Sequence, residues 1–438
     1  MLQLTRPRRS FVLACLAALS ISVMWAQATM AQASAGTTGD GTPAHPYTDL
    51  EDGKKASQAE KKPLLVLFRT AECPFTKLFY EQTVPDPAIK EALAGLVFTS
   101  IDVGGGKGKF VGQMHEVKAT PTFVLYDPDR GPLHQWKGWA PVAFLQNLNG
   151  GLRSNTTVVD RLDRYEKTPT ADDAALLGFF WASTGNFGGA YDAFQKAVEL
   201  NPSFDFRAES FDAAASGYAA GQVSFDKLES AATGVLAQND SDEEHLNVAS
   251  ILIGVTEGSP DAERVAPFLA TALKRAEQSS APNIQQAANR LEPYRLLYLA
   301  HDAAGAVKAY QTRYSGWPTD PDALNNVAWW CRTQEIELEE AEGWARGAVK
   351  GYTKPEDKAN ARDTLADILI LRGKKQEAIE QLFEAFKEAP RVLEYGHKLQ
   401  ALGADVELPE PPKRTITVVT PGEGNGGQES TETEGAGK

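Results

Sequence analysis

Two stretches of the chain repeat one spacing of small and large residues. The first contains Leu177, Gly178, Trp181, Gly185, Ala190, Phe194, Ala197 and Pro202, and the second contains Leu365, Ala366, Leu369, Gly373, Ala378, Leu382, Ala385 and Pro390. Small residues let two helices approach closely, and large apolar residues fill the gap to the next helix pair, so this spacing predicts stacked helical hairpins. A looser third copy contains Val327, Ala328, Ala341, Ala345 and Ala348. We therefore expect residues 171–400 to form an all-α helical array.

The composition of the chain excludes several classes of protein. Of its 438 residues, 42% are hydrophobic and 23% are charged, which is ordinary for a soluble globular protein. The formal net charge of −14 repels the phosphate backbone of a nucleic acid, so we expect no nucleic-acid partner. Six histidines without paired spacing and three cysteines offer little material for a metal site or a disulfide scaffold. We expect neither a metal nor a cofactor.

The segment 1–33 has the pattern of an export signal. It carries arginines and no acid, and an apolar run follows at 11–26. The triplets 26–28 and 31–33 have the small-x-small pattern of a signal-peptidase site. Residues 8–12 also resemble a twin-arginine signal, so the export route stays open between that and the general secretory route. A single membrane anchor is the alternative, but the run is short for a span of about 20 residues.

Three further segments are expected to lie outside the folded domains. Residues 34–46 are rich in Ala, Gly, Thr and Pro, which predicts a flexible linker, and we treat residues 154–170 as a second linker. Residues 405–438 begin with a proline-rich stretch and end in Gly, Glu, Thr and Ser. From Thr420 onward no aromatic residue occurs, so we expect a disordered acidic tail.

Residues 47–153 alternate between strand-like and helix-like patterns. The run 64–68 is continuously apolar, as is typical of a strand buried on both faces. The pattern predicts further strands at 97–102, 122–126 and 133–136 and a closing helix at 143–152. Strands separated by helices indicate a mixed sheet that helices cover.

A glycine cluster at 104–109 invites a phosphate-binding interpretation. The glycine spacing differs from that of a phosphate-binding loop, and Phe110 stands where the serine or threonine is needed. We expect a flexible loop before a helix instead. His115 lies in that helix and is expected to be solvated or to pack.

Three segments of this α/β section resemble the thioredoxin superfamily. Residues 62–68 resemble the strand that leads to the active site, and residues 71–77 resemble the Cys-x-x-Cys turn and its helix. Residues 119–122 resemble the segment whose proline is cis and faces that turn. The resemblance implies an α/β thioredoxin-like fold for residues 47–153.

The resemblance makes Cys73, Thr76 and Pro121 the candidate catalytic residues. Thr76 replaces the second cysteine, Leu67 stands where many thioredoxins have a buried acid, and Glu72 replaces the usual tryptophan. A dithiol reaction needs the second thiol, so two interpretations of Cys73 stay open. In one, the residue is a relic in a fold kept for binding. In the other, the turn resembles a monothiol glutaredoxin turn, and the helix N-terminus and the Thr76 hydroxyl stabilise the thiolate.

The repeat spacing resembles the tetratricopeptide family, whose concave surfaces usually hold a peptide or partner protein, although such repeats also brace neighbouring domains. We therefore expect an exported protein, periplasmic or extracellular, that acts as a protein-binding or scaffold module without a stable membrane span in its mature chain. The alternative is a monothiol thiol–disulfide oxidoreductase that uses Cys73, so enzyme activity stays open. Cys331 is expected to be a small buried hydrophobe, with a Cys73–Cys331 link or a resolving thiol as the alternative.

Overall fold

The computed structural model describes residues 47–408. The predicted export signal, the linker at 34–46 and the tail from residue 409 onward lie outside the described residues. The chain divides into two units, one ending at Leu291 and the other beginning at Glu292.

The first unit opens with a four-stranded mixed sheet in the order β2-β1-β3-β4. The strands are β1 (Leu64–Arg69), β2 (Val97–Asp102), β3 (Thr122–Asp127) and β4 (Gly131–Lys137). Strand β1 pairs parallel with β2 and antiparallel with β3, and β3 pairs antiparallel with β4. All four predicted strands are present. The central β1 is buried on both faces because its side chains are continuously apolar.

Helices cover both faces of this sheet. They are α1 (Leu50–Glu60), α2 (Pro74–Leu78) with a π-helical turn (Phe79–Thr83), α3 (Pro87–Ala94), α4 (Gly106–Met114) and α5 (Pro141–Ser154). Leu65 and Leu67 point to one core with residues of the π-helical turn, α3 and α5. Leu64 and Phe68 point to a second core with residues of α1 and α4. Successive side chains of β1 therefore pack against the helices on opposite faces of the sheet.

The rest of the first unit is helical. Its helices are α6 (Val158–Lys167), α7 (Ala171–Thr184), α8 (Phe187–Leu200), α9 (Arg207–Ala219), α10 (Phe225–Gln238), α11 (Asp242–Thr256), a 3₁₀ turn (Ala262–Val265), α12 (Ala266–Gln278) and α13 (Pro282–Arg290). Consecutive helices pack as pairs, α7 with α8, α9 with α10 and α11 with α12. Ala190 and Ala197 are fully buried, as the small positions of the repeat spacing require.

The second unit repeats this arrangement. Its helices are α14 (Glu292–Tyr298), α15 (Ala303–Gln311), α16 (Pro321–Gln334), α17 (Leu338–Gly351), α18 (Pro355–Leu371), α19 (Lys375–Glu388) and α20 (Leu393–Ala401). The pairs are α14 with α15, α16 with α17, and α18 with α19. The repeat positions Ala345, Ala366 and Ala378 are fully buried between paired helices. The expected α/β domain and the expected all-α array are both confirmed.

The structure differs from the expectations in several segments. The expected linker at 154–170 contains helix α6. Arg161 on this helix is buried and donates hydrogen bonds to the Leu133 carbonyl and to Ser154, so the segment packs against the sheet. Residues 405–408, assigned to the tail, turn back on α20, since Gln400 donates to the Val406 carbonyl. Leu408 lies against Gly396.

The glycine cluster is the next difference. Helix α4 begins at Gly106, so only the first glycines of 104–109 lie in a loop. A methyl group at Gly108 would lie 1.9 Å from the Asp102 carbonyl oxygen. The helix can therefore approach the end of β2 this closely only because Gly108 has no side chain. His115 ends this helix, half-buried, and its Nε2 lies 2.7 Å from the hydroxyl of Tyr126.

Candidate functional site

The Cys73 turn is built by the chain between β1 and α2. Cys73 is the N-cap residue of α2, in extended conformation, and Pro74 takes the first helical position. Proline suits that position because the missing N–H would have no partner in the helix. The Cys73 N–H donates to the Thr70 carbonyl at 3.3 Å, which closes a tight turn. The thiol is thereby held half-exposed at a helix N-terminus.

The Pro121 segment lies directly against this turn. The Cys73 sulfur donates a hydrogen bond to the Thr120 carbonyl at 3.1 Å, and the Thr120–Pro121 peptide bond is cis. The Pro121 carbonyl accepts from the Gly138 N–H at 3.1 Å, so the end of β4 also reaches the site. The structure therefore brings together Cys73 and the Pro121 segment, as the resemblance implies.

Thr76 lies on the first turn of α2, three residues after Cys73. It is buried, and its hydroxyl has no hydrogen-bond partner among the described residues. Thr76 therefore supplies a buried hydroxyl on the first turn of α2, at the position where the motif has its second cysteine.

The surroundings of Cys73 lack the usual proton-transfer acid of a dithiol enzyme. Leu67, at the position where many thioredoxins carry that acid, is fully buried among apolar residues. Lys77 is exposed and pairs with Glu81 at 3.7 Å. The turn can present a single thiol, but its second-cysteine position supplies only a hydroxyl.

The helical array packs beside the same sheet. Helix α7 lies along β4, where the rings of Phe179 and His134 are 6.4 Å apart. At the other end of α7, a methyl group at Gly185 would lie 3.5 Å from Lys118 Cγ, next to the Pro121 segment. Lys137 places its ammonium 5.3 Å from the centre of the Phe187 ring. Sequence patterns do not reveal this contact, because Lys118, Lys137 and Phe187 belong to no recognisable motif.

A buried ionic cluster fastens the array to the sheet. Arg161 is fully buried, its Nε lies 3.6 Å from Asp173 Oδ1, and its Nη1 donates to the Leu133 carbonyl at 2.7 Å. Arg164 pairs with both Asp173 oxygens at 2.5 and 2.6 Å. Burial lowers the pKa of Arg161 to about 10. Burial acts to raise the pKa of Asp173, but the hydrogen bonds from Arg164 and Thr170 outweigh it and hold that pKa below its usual value.

Cys331 lies in the second unit and is not part of this site. Its side chain is fully buried, and burial raises the pKa of its thiol to about 12. Cys73 and Cys331 are both free thiols. The neighbouring Trp330 is buried and stacks on Tyr310 with ring centres 4.3 Å apart, whereas Trp329 remains partly exposed, as expected for adjacent helical positions.

Two kinds of feature are absent from the described residues. Within 47–408, no group of three or more His, Cys, Asp or Glu side chains is placed to hold a metal ion. Across the same residues, no helix combines the length and the apolar character that crossing a membrane requires.

Comparisons with known proteins agree with the α/β domain. Residues 45–128 match the sequence model of a family described as thioredoxin-like. No curated protein matches the chain. A thioredoxin from Thermus thermophilus is 23% identical over 24% of this chain and 86% of its own, with a TM-score of 0.23.

Two solved helical-repeat structures are also similar. A thermophilic TPR protein of Thermus thermophilus is 15% identical over 53% of this chain and 98% of its own, with a TM-score of 0.24. The TPR2AB domain of yeast Sti1, in complex with pHSP90, is 17% identical over 53% of this chain and 96% of its own, with a TM-score of 0.21. The chain contains a thioredoxin-like domain followed by tetratricopeptide-like helices, as the family match, the sheet order and the paired helices show.

Proposed function

We propose that this chain is an exported protein-binding module whose helical array holds a protein or peptide partner. The observation that carries the proposal is the succession of paired helices, whose small buried residues set a close helix contact in both units. Stacks of such hairpins expose long surfaces built from the first helix of each pair, and those surfaces suit an extended ligand. The excess of acidic residues favours a basic or neutral partner.

Affinity capture with the full chain as bait tests this proposal. Ala190→Trp puts a large ring where α8 is fully buried, and overpacking of this kind costs about 1–3 kcal/mol. Glu199→Trp places the same ring at an exposed position of the same helix. We expect Ala190→Trp to lose the partner that the wild type and Glu199→Trp retain. Equal capture by all three chains would contradict binding through the array.

The export part of the proposal rests on the sequence of residues 1–33. Cleavage after either small-x-small triplet would start the mature chain at Thr29 or Ser34. N-terminal sequencing of the protein from the cell envelope tests this, and a chain that still begins at Met1 would contradict it.

A second candidate function is supported by the half-exposed Cys73 thiol at a helix start and by the buried Thr76 hydroxyl on the first turn of that helix. In this candidate the Cys73 thiolate attacks one sulfur of a client disulfide, a Cys73–client disulfide forms, and the other client sulfur leaves as a thiolate. That thiolate or a small thiol then attacks the mixed disulfide and releases Cys73. Turnover with a model disulfide client that Cys73→Ser abolishes would support this function, and unchanged turnover would exclude it.

A further inference from the structure

The chain after α20 turns back and runs along that helix. The Gln400 side chain donates to the Val406 carbonyl at 3.1 Å, and the Leu408 side chain lies against Gly396. Two residues of the returning chain thus pass four residues of the helix. Four helical residues rise about 6 Å and two extended residues span about 6 to 7 Å, so the returning chain is extended and antiparallel to α20.

Both contacts lie on one stripe of the α20 surface. Gly396 and Gln400 are four residues apart, so they share a face of the helix. Leu393, three residues before Gly396, continues the same face towards the start of α20. The returning chain therefore heads along this stripe towards Leu393.

Alternate residues of the returning chain face α20. Val406 and Leu408 are partly buried, whereas Asp405 and Glu407 are exposed. This period of two is typical of an extended segment with one side against a surface. Continued past Leu408, the same period would direct Glu410 towards the helix.

The start of the stripe is open to solvent. Leu393 is 37% exposed and the neighbouring Val392 is 40% exposed, although both are apolar. Within residues 47–408 no helix follows α20, and the terminal repeat of an array needs a polar outer face to stay soluble. Helix α20 also begins without a side-chain cap, so a carboxylate at that end would interact favourably with the helix dipole.

The next residues of the sequence suit this opening. Residues 409–412 are Pro-Glu-Pro-Pro, and proline favours the extended conformation that the returning chain already has. The helix rises about 4.5 Å from Gly396 back to Leu393, a distance that one to two extended residues span. If the chain keeps its course, residues 409 and 410 would reach Leu393.

We infer that residues 405–412 form a strap along the α20 stripe, in which the prolines cover Leu393 and Val392 and Glu410 lies at the start of the helix. The occupant is this chain's own end, because the described chain already enters the stripe and its last contact, at Gly396, adjoins the open part. The inference goes beyond the proposed function. It closes the outer end of the array, so a partner finds no apolar surface on the outer side of α20.

Engineered cysteine pairs test the position of the strap in the full chain. Leu393→Cys with Glu410→Cys puts two thiols where the strap brings them together, and Leu393→Cys with Glu423→Cys is the matched control. Both chains also carry Cys15→Ser and Cys73→Ser, and Cys331 is fully buried. With glutathione disulfide as oxidant, two thiols become one disulfide while the oxidant is reduced to two glutathione thiols. Peptide mapping by mass spectrometry gives the rate of the intrachain disulfide.

A free tail sets the baseline for this comparison. The paired positions are 17 and 30 residues apart, and closure of a flexible chain falls roughly as the −3/2 power of length, so a free tail gives about a twofold difference in rate. We expect the pair with Glu410→Cys to close at least about tenfold faster than the control pair. Adding Leu408→Asp to both chains disrupts the contact with Gly396 and should return the ratio to about twofold.

Three outcomes would overturn the inference. A ratio of about two without Leu408→Asp would show that the tail does not follow the stripe, which is then open to a partner. Disulfides between two chains, in place of the intrachain disulfide, would assign the stripe to a second copy. A tenfold ratio that survives Leu408→Asp would show that the strap does not continue from the contact at Gly396. Partner capture by the array is a separate measurement, so the proposed function stands or falls independently.

Discussion

The Cys73 sulfur and the Thr120 carbonyl oxygen are 3.1 Å apart, and the thiol donates a hydrogen bond across this gap. The thiol is bonded to the segment before Pro121, and helix α2 has no side-chain cap. This hydrogen bond joins the Cys73 turn to the segment of the cis proline at one edge of the sheet.

The two described thiols should differ strongly in alkylation rate. Cys73 is half-exposed, whereas Cys331 is fully buried and its pKa is raised to about 12 by burial. Because the thiolate is the reactive species, we expect iodoacetamide to modify Cys73 at least about tenfold faster than Cys331 in the folded chain. Peptide mapping by mass spectrometry gives both rates. Similar rates in the native protein, or a faster rate at Cys331, would contradict the burial of Cys331.

The ionic cluster between the sheet and the array should be essential for stability. Asp173→Ala leaves Arg161 buried opposite no carboxylate, and breaking a buried pair in this way costs about 3–5 kcal/mol. Asp163→Ala removes an exposed ion pair with Lys167 from the same helix as Arg161 and should cost less than about 1 kcal/mol. Urea unfolding measures both changes. Equal destabilisation by the two variants would show that the buried cluster does not hold the array.

Gly108 should tolerate no side chain, although Gly105 should. A methyl group at Gly108 would meet the Asp102 carbonyl oxygen at 1.9 Å, whereas nothing lies within 4 Å of the same position at Gly105. Gly105 has φ −169°, an extended conformation that any residue adopts. We expect Gly108→Ala to lose about 1–3 kcal/mol of stability, as steric overpacking does. Gly105→Ala should be neutral in the same thermal unfolding experiment, and a neutral Gly108→Ala would refute the close approach.

His134 should make the sheet less stable as the pH falls. Burial lowers the pKa of His134 to about 3, and its Nε2 donates to Asn147 Oδ1 at 2.8 Å. An unfolded histidine has a pKa of about 6.5, so between these values the unfolded chain binds the extra proton. The free energy of unfolding is therefore undiminished by His134 above pH about 6.5. Below that pH it falls by about 1.4 kcal/mol per pH unit, because the unfolded chain binds the extra proton.

Hydrogen exchange in residues 122–137 measures this slope. His134→Gln retains a donor for Asn147 but cannot bind the proton, so exchange protection should depend less on pH between about 7 and about 5. Identical slopes for the wild type and His134→Gln would show that His134 does not carry the effect.

The strands and helix pairs could be predicted from sequence because their signals are local and apolar. The continuous run Leu64–Phe68 and the repeated small positions such as Ala190 both report burial directly. Helix α6 was missed because its stability comes from Arg161, whose partners Asp173 and Leu133 are contributed by other elements. A charged residue in a polar stretch indicates solvent exposure, because the sequence does not show which distant residues would bind it in the fold.

The candidate site was predictable only in part. Cys73 and Pro121 belong to recognisable motifs, and the structure brings their segments together. Lys137 and Phe187 carry no motif, and their approach depends on how α7 packs along β4. Within the expected array, Pro282–Arg290 and Glu292–Tyr298 are separate helices, and Pro293 lies in the first turn of the second. Proline suits a helix start, so Pro293 was the available signal.

The central claim is that the array, rather than the Cys73 thiol, holds the partner. The most direct measurement is partner capture from envelope extracts under non-reducing conditions, with Cys73→Ser and Ala190→Trp compared side by side. We predict that Cys73→Ser retains the partner, because a thiol contributes little contact area, and that Ala190→Trp loses it. Loss of the partner in Cys73→Ser together with retention in Ala190→Trp would contradict binding through the array.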